Sequence, residues 1–167
     1  MSEASAKDLG VIRFSDFEQA NALILRCCQS AIRHVDIFSQ SLDPALYSQP
    51  AFIDALSLLA RTGRQSRIRL LVQDSRPLHG RHHPLITLVK RLPSTVFLRV
   101  LHNDYESVQT GYCISDARAL LYFNQEANCE GFYCQQARAE ARHTLEAFNR
   151  LWEHHSRSDP EFRTLSL

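Results

Sequence analysis

Short apolar stretches of strand length alternate with amphipathic stretches of helical length through the first hundred residues. The strand patterns fall at 11–14, 35–39, 68–72 and 95–101, and the helical patterns at 15–33, 49–61 and 83–92. This alternation is typical of a sheet built by parallel crossovers, with helices packed on its faces.

The pattern changes after residue 110. Two apolar runs flank a tight turn at 116–118, which predicts an antiparallel hairpin, and a short edge strand and a last helix follow at 131–133 and 135–155. The predicted fold class is therefore α/β: a mixed, mostly parallel sheet flanked by helices, with a C-terminal antiparallel hairpin. We expect a flexible N-terminus at 1–10, one domain at 11–155 and a polar C-terminal tail at 156–167.

Composition narrows the functional classes. The chain has 167 residues, is 44% hydrophobic and has a formal net charge of +1, so its global charge favours neither nucleic acid nor an acidic membrane. No apolar run approaches the roughly 18 residues that span a bilayer, which predicts a soluble, cytoplasmic protein without membrane association. Five scattered cysteines indicate reduced thiols, and we expect neither a metal site nor a cofactor.

The second half of the chain carries a family resemblance. A strand enters a turn at Asp116 and returns as an apolar strand, and Asn128-Cys129-Glu130 and a helix with Phe148 and Trp152 follow. This arrangement resembles the closing section of phospholipase D-like domains, where a His-x-Lys-x4-Asp motif precedes the turn and an Asn-x-Glu motif follows it. The earlier strand, helix and strand at 35–72 resemble the repeated pattern of the same family, so the likeness covers residues 11–153.

The resemblance places Gln109 at the motif histidine and Gly111 at the motif lysine. The family's reaction needs an imidazole nucleophile and a lysine that neutralises phosphoryl charge, and neither residue supplies these groups. The degenerate motif consists of Gln109, Gly111, Asp116, Asn128 and Glu130, and no catalytic residue is assigned. The family builds its full site from two motifs and this chain has room for one, so the resemblance implies a homodimer.

A basic segment at residues 61–91 holds eight arginines and lysines and one acid, Asp74. Part of it follows a strand and precedes a helix, a place where open α/β sheets bind anions. The side chains predicted to bind a phosphate or carboxylate there are Arg76, His79, Arg81, His82 and His83. The alternative is a solvated loop whose basic residues pair with the acidic last helix.

Another polar cluster, His102-Asn103-Asp104-Tyr105, follows the next strand. If both strands are parallel, His102 faces the same sheet edge as Asp74 and Arg76, and a shared cleft results. An acid/base pair within this cluster and a solvent-facing loop are the two interpretations.

Three functional hypotheses follow. The first is a non-catalytic phospholipase D-like domain that binds an anionic ligand near Arg76, His79 and Arg81, with His102 in the same predicted ligand-binding set, or that binds another protein. The second is a nucleic-acid or nucleotide-phosphate binder that uses the basic segment. The third is an enzyme of unrelated chemistry that uses His102, Asp104 and Asp116.

Overall fold

The computed structural model describes residues 10–63 and 65–162. The predicted flexible segment 1–10 therefore lies outside the described residues except for Gly10. Arg64 of the basic segment and residues 163–167 of the predicted tail also lie outside them.

The described chain forms one sheet with helices on both faces. The strands are β1 (Val11–Phe14), β2 (His34–Ser39), β3 (Arg67–Val72), β4 (Val96–Leu101), β5 (Gly111–Ser115), β6 (Ala119–Gln125), β7 (Glu130–Cys134) and β8 (Ser156–Arg157). The helices are α1 (Phe17–Gln29), α2 (Pro44–Tyr47), α3 (Pro50–Thr62), α4 (Pro84–Arg91) and α5 (Arg138–His154). Short 3-10 turns cover Arg76–Leu78, Glu126–Asn128 and Pro160–Phe162.

The strand order is β1-β7-β6-β5-β2-β3-β4-β8. Strands β2, β3 and β4 are parallel, and the remaining pairings are antiparallel. The predicted α/β class with a mixed sheet and a C-terminal hairpin is confirmed. The parallel part is smaller than expected because β1 joins β7 in antiparallel register rather than β2, and β7 consequently lies inside the sheet.

Two cores lie on opposite faces of the sheet because successive strand residues point to opposite sides. Helices α1 to α4 cover one face, where Ile68, Leu70 and Val72 of β3 are buried. Helix α5 covers the other face, with Phe148 packed in a second cluster that includes Leu71. No helix of the described residues has the length and apolar character needed to cross a bilayer.

The described part of the predicted polar tail belongs to the fold. Strand β8 pairs antiparallel with the end of β4, and Phe162 is buried in the core beneath α1 to α4. The expectation of a polar tail is therefore corrected for residues 156–162. This segment brings Arg157 and Asp159 to the carboxyl end of β4.

Candidate functional site

The hairpin aspartate has a structural role. Asp116 adopts the left-handed conformation with φ 54°, and its carboxylate accepts hydrogen bonds from the backbone N–H groups of Ile32, Arg33 and His34 at 2.8, 2.9 and 2.8 Å. Aspartate is favoured at such turns because it tolerates this conformation and bonds nearby backbone. The carboxylate therefore fixes the entry to β2.

This position rules out the predicted acid/base set of His102, Asp104 and Asp116. The Asp116 turn lies at the amino end of β2, because its N–H donates to the carbonyl of His34. His102 and Asp104 follow the carboxyl end of β4, which is parallel to β2 through β3. The three side chains thus lie at opposite edges of the sheet.

Gly111, the position that the resemblance assigns to the motif lysine, is closed by another side chain. A Cβ atom at Gly111 would overlap the carboxylate of Glu126 and would lie 3.1 Å from the carbonyl oxygen of Phe38. The backbone N–H of Glu126 also donates to the carbonyl of Gln109 at 3.0 Å. Both degenerate positions, 109 and 111, therefore contact Glu126.

Glu126 is a buried carboxylate with three donors. Its Oε1 accepts from the Ser39 hydroxyl at 3.0 Å and from the backbone N–H of Gln40 at 3.1 Å, and its Oε2 accepts from the Tyr47 hydroxyl at 3.4 Å. Burial raises the pKa of Glu126 to about 7, although these three donors pull it down. The Glu126 side chain thus fills the space in front of Gly111, the position that the resemblance assigns to the motif lysine.

A cavity of about 520 Å³ opens beside this closed pocket, at the carboxyl ends of β3 and β4. The residues that line it are Gln73, Asp74, Ser75, Arg76, His79, Val100, Leu101, His102, Asn103, Tyr105, Ser107, Arg157 and Asp159. We call this cavity the β3–β4 cleft. The loop that forms one wall is anchored by Gln73, whose amide oxygen accepts from the N–H of Val108 at 2.9 Å and whose amide nitrogen donates to the Val108 carbonyl at 2.8 Å.

Two of the basic side chains in the cleft, Arg76 and His79, have carboxylate partners. Arg76 donates to both carboxylate oxygens of Asp74 at 2.9 Å, and this arginine lowers the pKa of Asp74. The His79 Nε2 atom lies 2.8 Å from Asp159, which also accepts from Ser75 at 2.6 Å. Burial pushes the pKa of Asp159 up, but the Ser75 and His79 bonds outweigh it and hold the pKa below its usual range.

The other two basic side chains of the cleft, Arg157 and His102, lack such partners among the described residues. No described carboxylate lies within ion-pair distance of Arg157 or His102. Both residues are exposed at the cleft. An anion that enters the cleft thus meets an arginine whose charge is not already neutralised.

The remaining predicted anion-binding residues do not line the cleft. Arg81 and His82 are exposed outside it. His83 is 2% exposed, and its role as a ligand is corrected: Nδ1 accepts from the N–H of Leu85 at 3.1 Å and Nε2 lies 2.9 Å from the carbonyl of Leu42. His83 therefore caps α4, and burial lowers the pKa of its ring.

The degenerate Asn128 and Glu130 also lie away from the cleft. Asn128 is exposed and donates its amide to the side chain of Gln125. Glu130 lines a separate depression beside β1, together with Arg13. The two residues that resemble the family's Asn-x-Glu motif therefore do not contact the residues of the cleft.

Sequence reasoning missed Glu126, Arg157 and Asp159. Glu126 is one acid among polar residues after β6, and its burial depends on Gly111 and on strand pairing. The Asp159-Pro160 pair was a weak turn signal in a stretch that looked like a polar tail. Neither signal reports which other elements the acid will contact.

The family known as "Domain of unknown function (DUF7931)" matches residues 16–165 of the chain. The chain belongs to the DUF7931 family. No curated protein matches the DUF7931 chain.

Solved structures resemble the DUF7931 chain over most of its length. Nuc from Salmonella typhimurium, a phospholipase D family member, has a TM-score of 0.63 at 15% identity, over 89% of this chain and 97% of that one. TrmBL2, an archaeal chromatin protein with a novel mode of DNA binding, has a TM-score of 0.63 at 15% identity, over 87% of this chain and 52% of that one. Phosphatidylserine synthase from Haemophilus influenzae Rd KW20 has a TM-score of 0.62 at 10% identity, over 91% of this chain and 40% of that one.

At sequence identities of 10–15%, this structural similarity establishes the fold alone. The DUF7931 chain has a phospholipase D-like fold, and the resemblance read from the Asp116 turn and the last helix is confirmed.

Proposed function

We propose that this DUF7931 chain is a non-catalytic phospholipase D-like domain that binds an anionic ligand in the β3–β4 cleft. The observation that carries the proposal is a reversal of charge: an acid, not a base, fills the position that the resemblance assigns to the family's lysine. A buried glutamate, Glu126, lies where the resemblance places an ammonium group.

A carboxylate at that position works against phosphoryl transfer. An ionised Glu126 repels a phosphate, and a protonated one offers no cation to the developing charge. Gln109 supplies no imidazole, and the lining residues of the cleft include two histidines but no lysine. A nucleophile and a charge-stabilising lysine are therefore not brought together by the described cleft residues.

The cleft itself favours an anion. Arg157 and His102 line it and have no carboxylate partner among the described residues, and the forked Arg76 lies on its wall. Arginine recognises phosphate and carboxylate by paired hydrogen bonds, and strand ends of open α/β sheets are common ligand sites. A small dianion with a phosphate or carboxylate group fits this set of donors.

Calorimetric titration with inorganic pyrophosphate tests the proposal. The Arg76→Ala/Arg157→Ala variant should bind at least about tenfold more weakly, a loss of about 1.4 kcal/mol. Arg81→Ala is the matched control, because this arginine is in the same basic segment but outside the cleft. Equal affinity in the double variant, or an equal loss in Arg81→Ala, would remove the cleft as the site.

Nucleic-acid binding is the second candidate function. It is supported by the concentration of eight basic residues in 61–91 and by the fold shared with TrmBL2, which binds DNA. Binding that weakens steeply with salt would favour this candidate over a small anion.

The homodimer implied by the family resemblance stays a prediction. Light scattering across a range of protein concentrations checks it, and a monomer at all concentrations would contradict it.

A further inference from the structure

A second cavity, of about 650 Å³, lies along the outer edge of β4, outside the β3–β4 cleft. Its walls include Arg67 and Arg69 of β3, Phe97 and Arg99 of β4, and Trp152 of α5. We call it the β4-edge cavity. It is separated from the β3–β4 cleft by the segment that contains β8, and Asp159 lines both.

Two guanidinium groups of this cavity have no carboxylate partner. Arg99 donates to the hydroxyl and carbonyl oxygens of Ser156, both at 2.7 Å, and these acceptors are neutral. Arg67 is exposed, and no described carboxylate lies within ion-pair distance of it. Arg69, in contrast, is neutralised by Asp36 at 2.6 Å.

Neither of the two acids that line the same cavity lies within ion-pair distance of Arg67 or Arg99 in the described part of the chain. Asp159 accepts from Ser75 and lies 2.8 Å from His79 in the β3–β4 cleft. Glu153 lies 3.9 Å from the ring of His154. The positive charge of Arg67 and Arg99 is therefore available to an incoming anion.

Aromatic rings accompany these cations. Phe97 is half-buried and points to the same face of the sheet as Arg67 and Arg99, because side chains alternate along β3 and β4 in their parallel register. Trp152 is also half-buried, and the guanidinium carbon of Arg99 lies 5.6 Å from its ring centre. Half-exposed rings beside unneutralised arginines are the combination that single-stranded nucleic acids bind, by base stacking and phosphate contact.

An added peptide strand fits this edge less well. Ile68 donates its N–H to the carbonyl of Thr95. Because alternate residues of a parallel strand bond the same neighbour, the backbone N–H and carbonyl of Leu98 point away from β3. The Val96 N–H is bonded to the Leu92 carbonyl, and β8 already pairs with β4 from Val100 onward. Only about one residue of β4 is left to pair with a strand, which is too short for strand addition.

We propose that the β4-edge cavity binds single-stranded nucleic acid, with one base stacked on Phe97 and the adjoining phosphates held by Arg67 and Arg99. The inference gives the second candidate function a site of its own. It does not depend on anion binding in the β3–β4 cleft.

Trp152 makes the cavity directly observable, since it is the single tryptophan of the chain. We would titrate the full chain at low salt with a single-stranded oligothymidine of about ten nucleotides and follow tryptophan fluorescence. Fluorescence should be quenched, and affinity should fall as salt rises. Arg67→Glu and Phe97→Leu should each weaken binding by about tenfold, and Arg67→Glu should also reduce the salt slope.

Arg142→Glu is the matched control, because it makes the same charge change on an exposed part of α5 outside the cavity. The inference is overturned if the oligonucleotide does not bind. It is also overturned if Arg142→Glu weakens binding as much as Arg67→Glu, if pyrophosphate alone causes the same quenching, or if a polyglutamate peptide binds as tightly. A failure of pyrophosphate to bind in the β3–β4 cleft would leave this readout unchanged, so the two proposals fail separately.

Discussion

The Glu126 pocket and the β3–β4 cleft are neighbours at the same end of the sheet, yet they have opposite character. The Glu126 pocket is filled: a carboxylate with three donors lies against Gly111, and no side chain fits at that glycine. The cleft is open, and Arg157 lines it without a carboxylate partner in residues 10–63 and 65–162. The difference teaches that neighbouring strand ends of one sheet can be closed by a buried acid at one point and open beside an arginine at the next.

The largest expected effect concerns the charge of Glu126. Its pKa is raised from 4.5 to about 7, so between these values the folded chain keeps a proton that the unfolded chain has released. The contribution of Glu126 to stability is therefore largest below about pH 4.5 and falls as pH rises. The loss amounts to about 3 kcal/mol and is complete above about pH 7.

Urea unfolding of the Glu126→Gln variant at pH 5 and pH 8 measures this contribution. The variant should lose less stability than the wild type between the two values, because an amide does not ionise. Glu146→Gln, an exposed change on α5, is the control and should keep the wild-type slope. Identical slopes in wild type and Glu126→Gln would contradict the burial of an ionisable acid.

Gly111→Ala tests how tightly the same pocket is filled. The added methyl group would displace the Glu126 carboxylate from its donors, at a cost of about 2 kcal/mol in the free energy of unfolding. In a Glu126→Ala background the same change should cost about 1 kcal/mol or less, since the overlap with the carboxylate is removed and the Phe38 carbonyl oxygen lies 3.1 Å away. Additive effects in this double-mutant cycle would show that the two positions do not touch.

The architecture could be predicted from sequence because its signals are local. Apolar alternation marked β2, β3 and β4, and the turn at Asp116 marked the hairpin. The pairing of β1 with β7 could not be predicted, because an edge strand of four residues carries no mark of its distant partner.

The candidate site was predictable only in part for the same reason. His102 and Arg76 were placed at one edge by the rule that parallel strands end together, and the structure brings both to the cleft. His83 was predicted to bind an anion because it lies in the basic segment between a strand and a helix, but its ring caps α4. The burial of Glu126 depends on Ser39, Tyr47 and Gly111, which are far apart in sequence, so no local pattern reveals it.

A smaller effect on stability is expected in the β3–β4 cleft. Asp159→Asn removes the charge from the bonds to Ser75 and His79, and should lower stability by about 1 kcal/mol near pH 7. Because the fold lowers the pKa of Asp159, its contribution is present above the unfolded value and is lost as pH falls. Thermal unfolding at pH 7 and pH 3 should show the difference between wild type and variant shrink at low pH, and a constant difference would contradict this reading.

The smallest effect is expected outside both regions. Arg81 is exposed and does not line the cleft, so Arg81→Ala should change stability by no more than about 0.5 kcal/mol. Thermal unfolding checks this value. A larger loss would mean that the basic loop packs more closely than the structure shows.

A crystal soaked in tungstate, an anion of phosphate shape with strong anomalous scattering, tests the central claim most directly. We expect anomalous density in the β3–β4 cleft, within hydrogen-bonding distance of Arg157, and none at Gly111. Density against Gly111, with Glu126 displaced from Ser39 and Tyr47, would contradict the account.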